Sequence, residues 1–193
     1  EKVGSIGDIG CFSFFGNKIL TTGEGGICTT NSKETYTKMK QIRDHGMSPQ
    51  KRYWHDVVGY NYRMTEMQAA LGIVQMSRLE FFVKRRNELT KGYMKNLESL
   101  PLKFQLVSEN CRSSCHLFTL QIVDKRYDRD DLYMFLKLNK IASQVHYIPV
   151  NSQPYYKAEH LPQCKAFYEQ CLSLPIYFDL TVEDYKKVVK SFG

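Results

Sequence analysis

Residues 12–26 read FSFFGNKILTTGEGG and set a single lysine, Lys18, between an apolar run and a glycine-rich turn. A primary amine in that setting can cap a turn, hold a phosphate, or bond covalently to a carbonyl carbon. The phosphate cradle of nucleotide-binding proteins needs GxxxxGK[ST], with the glycines before the lysine and a hydroxyl after it. Here the glycine turn follows Lys18, with only Gly16 before it, and Ile19 comes next, so that pattern is excluded. Two readings stay open on these residues alone. Lys18 is a solvated loop residue, the usual fate of a lysine, or it is a carbonyl-bonding amine. The latter must shed its proton to attack, which a desolvated or cationic setting favours. Phe12, Phe14, Phe15, Ile19 and Leu20 offer the desolvation, and the glycine turn lets a flat ligand lie against backbone.

The elements that must hold this loop follow from periodicity and caps. Cys11 to Phe15 and Gly26 to Thr30 read as two short strands flanking it. Ser32 precedes a helix-compatible stretch from Lys33 to Asp44 that stops at Gly46. Residues 46–63 have no clear period and read as a long, aromatic, ordered loop. Thr65–Gln68 and Ser77–Glu80 both fit the capping box, predicting two helices. The first carries Met67, Leu71 and Val74 on one face. The second carries Leu79, Phe82, Val83, Leu89, Tyr93 and Leu97 and runs to about Glu98, before Pro101. Beyond it the spacing predicts a strand from His116 to Val123, a helix from Asp128 to Leu138 and a strand from Ala142 to His146. A Pro- and Tyr-rich loop at 147–163, a helix from Gln163 to Leu172 and a last helix capped by Thr181 complete the reading. The class is α/β, with a domain boundary expected near residue 100: residues 1–100 carry the lysine loop and long helix, and 101–193 form a smaller α/β domain.

Bulk properties narrow the function classes. With 193 residues and 42% hydrophobic content the chain can bury a core. No apolar stretch is long enough to span a bilayer, and EKVGSIGDIG has neither the basic start nor the apolar middle of a secretion signal. Glu1 is not an initiator methionine, so a cut or processed chain is expected. The six cysteines show no CxxC spacing, and Cys111 and Cys115 are a weak metal signature, so reduced structural thiols and a cytoplasmic location are expected, with no bound metal. The net charge of +7 suits any anionic partner, but the basic residues are scattered and no nucleic-acid module is recognisable.

Taken in order, GDIGCFSFFGNKILTTGEGG, RDHGMSPQKRYWHDVVGYNYRMTEMQAALGIVQMSRLE, CHLFTLQIV, VHYIPVNSQPYY and CLSLPIYFDLT cover nearly the whole chain. This ordered set resembles the DegT/StrS-type nucleotide-sugar aminotransferases, pyridoxal-phosphate enzymes of the aspartate-aminotransferase fold. The resemblance implies the C-terminal portion of a fold-type I transferase: the end of the large mixed-sheet domain followed by the small domain. It implies that Lys18 bonds the cofactor aldehyde and then shuttles a proton, and that Ser13 donates to the cofactor phosphate. Asn61 would reach the phosphate of a neighbouring subunit's cofactor with Arg63 assisting, which requires a homodimer. His146 and Tyr147 would line the sugar-nucleotide pocket, while His116 is read as structural. Trp54, in RYWHDVV, either shapes the substrate entrance or packs among its aromatic neighbours. The implied reaction moves an amino group from a donor, glutamate being expected, to a nucleotide-linked 4-keto-6-deoxy sugar for polysaccharide or glycan precursors. SPQKRYWHDVVGYNYRMT leans toward perosamine-type enzymes, and VHYIPVNSQPYY toward those making 4-amino sugars for nonulosonic acids. Phe15 stands where many relatives carry histidine or tyrosine, so a polar contact there is lost. The family's pyridine-nitrogen aspartate and ring-stacking aromatic belong to a further N-terminal portion, so this chain by itself is expected to be inactive. A sugar dehydratase is the alternative enzyme, disfavoured because those relatives replace the lysine with histidine. A non-catalytic regulator is disfavoured by the retention of Lys18 and Ser13.

Overall fold

The computed structural model describes residues 1–156 and 161–193, so residues 157–160 of the expected 147–163 loop lie outside the described residues. Two compact units, Glu1–Leu79 and Glu80–Gly193, make up the chain.

In the first unit β1 (Gly10–Ser13) and β2 (Gly26–Thr29) form an antiparallel hairpin that pairs Cys11 with Cys28 and Ser13 with Gly26. Helix α1 (Lys33–Arg43) starts where expected: the Ser32 hydroxyl accepts from Thr35 N at 3.1 Å. Helix α2 (Glu66–Ser77) has the full capping box of Thr65 and Gln68. The second expected box is not formed. Ser77 closes α2 instead, its hydroxyl donating back to Val74 O at 2.8 Å.

Between α1 and α2 the loop is ordered by two isolated bridges, Asp44 with Asn61 and Met47 with His55. Its crossing point is two glycines. Gly46 has φ +69°, and a Cβ there would lie 1.8 Å from Val57 O; a Cβ on Gly59 would lie 2.0 Å from Gly46 N. Backbone meets backbone here, so no rotamer change can make room. Gly46→Ala is expected to cost at least about 2 kcal/mol, combining a left-handed φ with that clash. The measurement is the urea midpoint, with faster proteolysis between residues 46 and 60 as the local signature. An unshifted midpoint would show that the crossing does not exist in solution.

The second unit is built on an antiparallel sheet in the order β3 (Leu102–Phe104), β4 (Phe118–Ile122), β5 (Cys171–Leu174). Against it pack α3 (Leu79–Asn96) through Leu89 and Tyr93, with Leu97 just beyond it, α4 (Arg129–Leu138) through Leu136, and α6 (Val182–Lys190) through Val188. Helix α5 (Pro162–Gln170) leads directly into β5. The boundary therefore falls at the start of the long helix rather than near residue 100, because α3 buries Phe82, Val83, Leu89 and Tyr93 within the second unit. Three local expectations are corrected. Residues 171 and 172 belong to a strand, not to the end of a helix, and all four residues of that strand are buried. Ala142 to His146 make only the single bridge from Gln144 to Ser173. The three-residue strand β3, just after Pro101, was not anticipated.

Candidate functional site

In the hairpin, Lys18 occupies the loop that leaves β1 and returns to β2. That loop is cinched at its base. Phe14 O accepts from Thr22 N at 2.9 Å and from the Thr21 hydroxyl at 3.0 Å, and Phe14 N donates to Gly25 O at 2.9 Å. A turn brings Lys18 N to Phe15 O at 3.0 Å. Thr22, itself buried, donates its hydroxyl to Glu24 O at 2.6 Å and fixes the glycine turn. Gln68, from the first turn of α2, ties the same carbonyl down from outside at 3.0 Å. Gly25 has φ +140° and would crowd Thr22 and Met64 if it carried a side chain, so this turn needs glycine.

Lys18 is half-buried, and its ammonium pairs with no carboxylate among the described residues. Ser13 sits at the end of β1, exposed, with its Oγ accepting from Phe15 N at 3.3 Å. That leaves the hydroxyl proton with no acceptor among the described residues. A half-buried amine without a salt bridge and a serine with a proton to give fit a phosphorylated aldehyde. The one can take the carbonyl and the other a phosphate oxygen.

Arg63 has a partner that the sequence did not announce. Its guanidinium forms an ion pair with Asp44, and its backbone N donates to Asn61 Oδ1 at 3.4 Å. Asp44, in the quoted RDHG segment, was not singled out by sequence, yet it decides where Arg63 points. Arg63 also lines a cleft of about 600 Å³ with Gly25, Gly26 and Gln68, whereas Ser13, Lys18 and Asn61 are not among its lining residues. Ser13 at the end of β1 and Lys18 in the loop after it thus lie on one hairpin, while Arg63 N is tied to the Asn61 side chain.

Trp54 is exposed, with Lys51 Nζ 4.4 Å from its ring, so it is not an aromatic core residue in this unit. In the second unit His146 and Tyr147 line a cleft of about 590 Å³ with Asn151, Tyr156 and Phe167. The His116 carbonyl accepts from Arg86 Nη1 at 2.9 Å, a structural contact. Among the described residues no group of three histidine, cysteine or acidic side chains is placed to hold a metal ion, and no helix is long and apolar enough to cross a membrane.

A model of the DegT/DnrJ/EryC1/StrS aminotransferase family matches residues 1–193. The chain is 38% identical to GDP-perosamine synthase of Vibrio cholerae over 169 residues, covering 86% of this chain and 45% of that protein. Among solved structures it resembles Helicobacter pylori PseC, an aminotransferase involved in the biosynthesis of pseudoaminic acid. The TM-score is 0.88 at 29% identity, covering 99% of this chain and 54% of that one. It also resembles the PLP-form of Spr1654, a putative sugar aminotransferase from Streptococcus pneumoniae, with a TM-score of 0.89 at 27% identity over 98% of this chain and 52% of that one. The chain spans about half the length of the curated relatives it matches.

Proposed function

The chain belongs to the DegT/DnrJ/EryC1/StrS aminotransferase family, and from that premise we propose that it serves a pyridoxal-phosphate-dependent aminotransferase. The substrate is a nucleotide-linked 4-keto-6-deoxy sugar, the product its 4-amino sugar, and glutamate the amino donor, in the cytoplasm. The observation that carries this is the hairpin. Lys18 is half-buried, free of any carboxylate among the described residues, and five positions after an uncommitted serine hydroxyl.

When bound, pyridoxal phosphate supplies the electron sink that stabilises negative charge on a carbon next to the transferred nitrogen. Everything else falls to protein side chains. Lys18 would hold the cofactor through its Nζ, and in its neutral form that amine would serve as the base that takes up and gives back the donor's α-proton. Ser13 donates its hydroxyl to the phosphate, adding orientation without charge. Asn61 and Arg63 complete the phosphate site of a neighbouring copy. Ile73, Val74 and Met76, apolar side chains that α2 leaves exposed, support that reading. His146 and Tyr147 bind the sugar nucleotide, and a net charge of +7 favours an anionic diphosphate.

Incubating the holoenzyme with glutamate and a panel of GDP-, UDP- and dTDP-linked 4-keto-6-deoxy sugars tests this. One member is expected to be converted to the amino sugar, seen by mass spectrometry, with stoichiometric 2-oxoglutarate. The panel includes the perosamine precursor and N-acetylated sugars, so it also separates the two leanings in the sequence. No conversion of any member, in a preparation that retains the cofactor, would overturn the assignment.

A further inference from the structure

Cys11 and Cys28 stand 17 positions apart, with no motif to join them in sequence. The hairpin ladder sets them directly opposite each other on β1 and β2, both exposed, with their sulfurs 3.9 Å apart in a thiol–thiol hydrogen bond. Opposed residues of an antiparallel ladder alternate between pairs that exchange backbone hydrogen bonds and pairs that do not. The second kind brings its Cα atoms closer, to about 4.5 Å. Phe14 N donates to Gly25 O at 2.9 Å, which makes Phe14 and Gly25 a bonded pair. Three steps back along the ladder, Cys11 and Cys28 therefore form a non-bonded pair. That spacing falls inside the Cα separation of about 4.4–6.8 Å that a disulfide spans, so the backbone need not move to accept one. Among the described residues no other two thiols share a hydrogen bond.

We propose that Cys11 and Cys28 are a reversible disulfide site, closed by hydrogen peroxide and reopened by a thiol reductant. One sulfur, as its thiolate, attacks a peroxide oxygen. The O–O bond breaks, and the departing hydroxide takes up a proton to become water. The second sulfur then attacks the sulfenic acid so formed, the S–S bond closes and a second water leaves. The two thiols together give up two electrons and two protons, and the peroxide takes them. The new bond joins the two ends of residues 12–27, the segment that holds Ser13 and Lys18. Oxidation thus adds a covalent tie to a loop otherwise closed by hydrogen bonds, and a tie of this kind acts by restricting the open chain. Disulfides that form transiently in response to oxidants are the sort that reducing compartments permit. The site stands on the register of the hairpin, whatever Lys18 bonds.

The test exposes the holoenzyme to hydrogen peroxide, alkylates the remaining thiols and digests the unreduced protein with trypsin. Cleavage after Lys2, Lys18 and Lys33 puts the two cysteines on separate peptides, 3–18 and 19–33. They are expected as one linked species, lighter by two hydrogen atoms than the two peptides together, and dithiothreitol should release both. In the oxidised protein, amide exchange across residues 12–27 should slow by at least about tenfold, well within what closing a loop of this size can give. Cys11→Ser and Cys28→Ser should each remove both the link and the slowing. Recovery of the two peptides with free thiols, with sulfinic or sulfonic acids, or joined to other cysteines overturns the site. A link that leaves exchange unaltered overturns the covalent restraint of the loop. The wild-type digest decides the site even if a variant folds poorly.

Discussion

Lys18→Ala in the holoenzyme is expected to lower transaminase turnover by about 10³-fold or more, the scale of a positioned general acid–base group. It should also abolish the borohydride-stable cofactor label on the Lys18 peptide. Two roles for the amine explain why so large a loss comes from one side chain. In the proposed function Lys18 would hold the cofactor covalently between turnovers and move the proton during them, so its removal would disable anchoring and chemistry together. Lys18→Arg separates this from simple charge. Guanidinium remains protonated and cannot act as a nucleophile, yet it binds phosphate as well as lysine does or better. If Lys18 were only a phosphate-holding cation, the arginine variant would keep most of its activity. It is expected instead to be as inactive as the alanine variant, and an active arginine variant would sink the assignment. Stability of the cofactor-free protein should scarcely move in either case, because Lys18 has no ion pair to lose among the described residues.

What was legible in the chain depended on how far apart the partners stand in sequence. Ser13 and Lys18 lie in one hairpin, and the glycines that close it announce the turn, so the element carrying these two candidates could be read directly. Ser32, Thr65 and Thr181 also cap where expected, and Asp128, read as the first residue of its helix, caps it, since a cap joins residues three or fewer positions apart. Ser77 shows where local reading fails. Ser77 and Glu80 fit the box, but the chain was still in α2, and the hydroxyl turned back to its own helix. Residues 171 and 172 fail for another reason. CLSL has no alternation to betray a strand, because β5 is buried on both faces. The long-range pairs were not visible. Asp44 holds Arg63 and Ser173 holds His146 across gaps of 19 and 27 residues, and neither pair carries a motif. Those pairs orient the candidate ligands, so the sequence names residues more readily than it aims them.

Arg86 is the extreme case of a role that only tertiary structure reveals, and its replacement is expected to have the largest effect on stability. Spacing places it on α3 beside Phe82, Val83 and Leu89, where a charge is unwelcome, and it is indeed buried, at 7% exposure. Burial pulls its pKa below the usual arginine value, yet no carboxylate compensates it among the contacts that define its position. Instead Nη1 donates to His116 O and Ile176 O, each at 2.9 Å, and more weakly to Cys115 O at 3.4 Å. Those carbonyls flank β4 and β5 just outside the ladder, where no strand can satisfy them. One guanidinium therefore ties α3 to both strand ends. Arg86→Met fills similar volume and relieves the buried charge but leaves these carbonyls short of a donor, at about 1–3 kcal/mol for each group stranded. The balance is expected near 3 kcal/mol of destabilisation, measured as a lower urea midpoint with an unchanged m-value. Arg86→Lys should recover only part of the loss, because a compact ammonium on a flexible stem does not reproduce the planar fork. A methionine variant as stable as the wild type would mean that burying the cation costs as much as its carbonyl contacts return, and that packing alone holds α3 to the sheet.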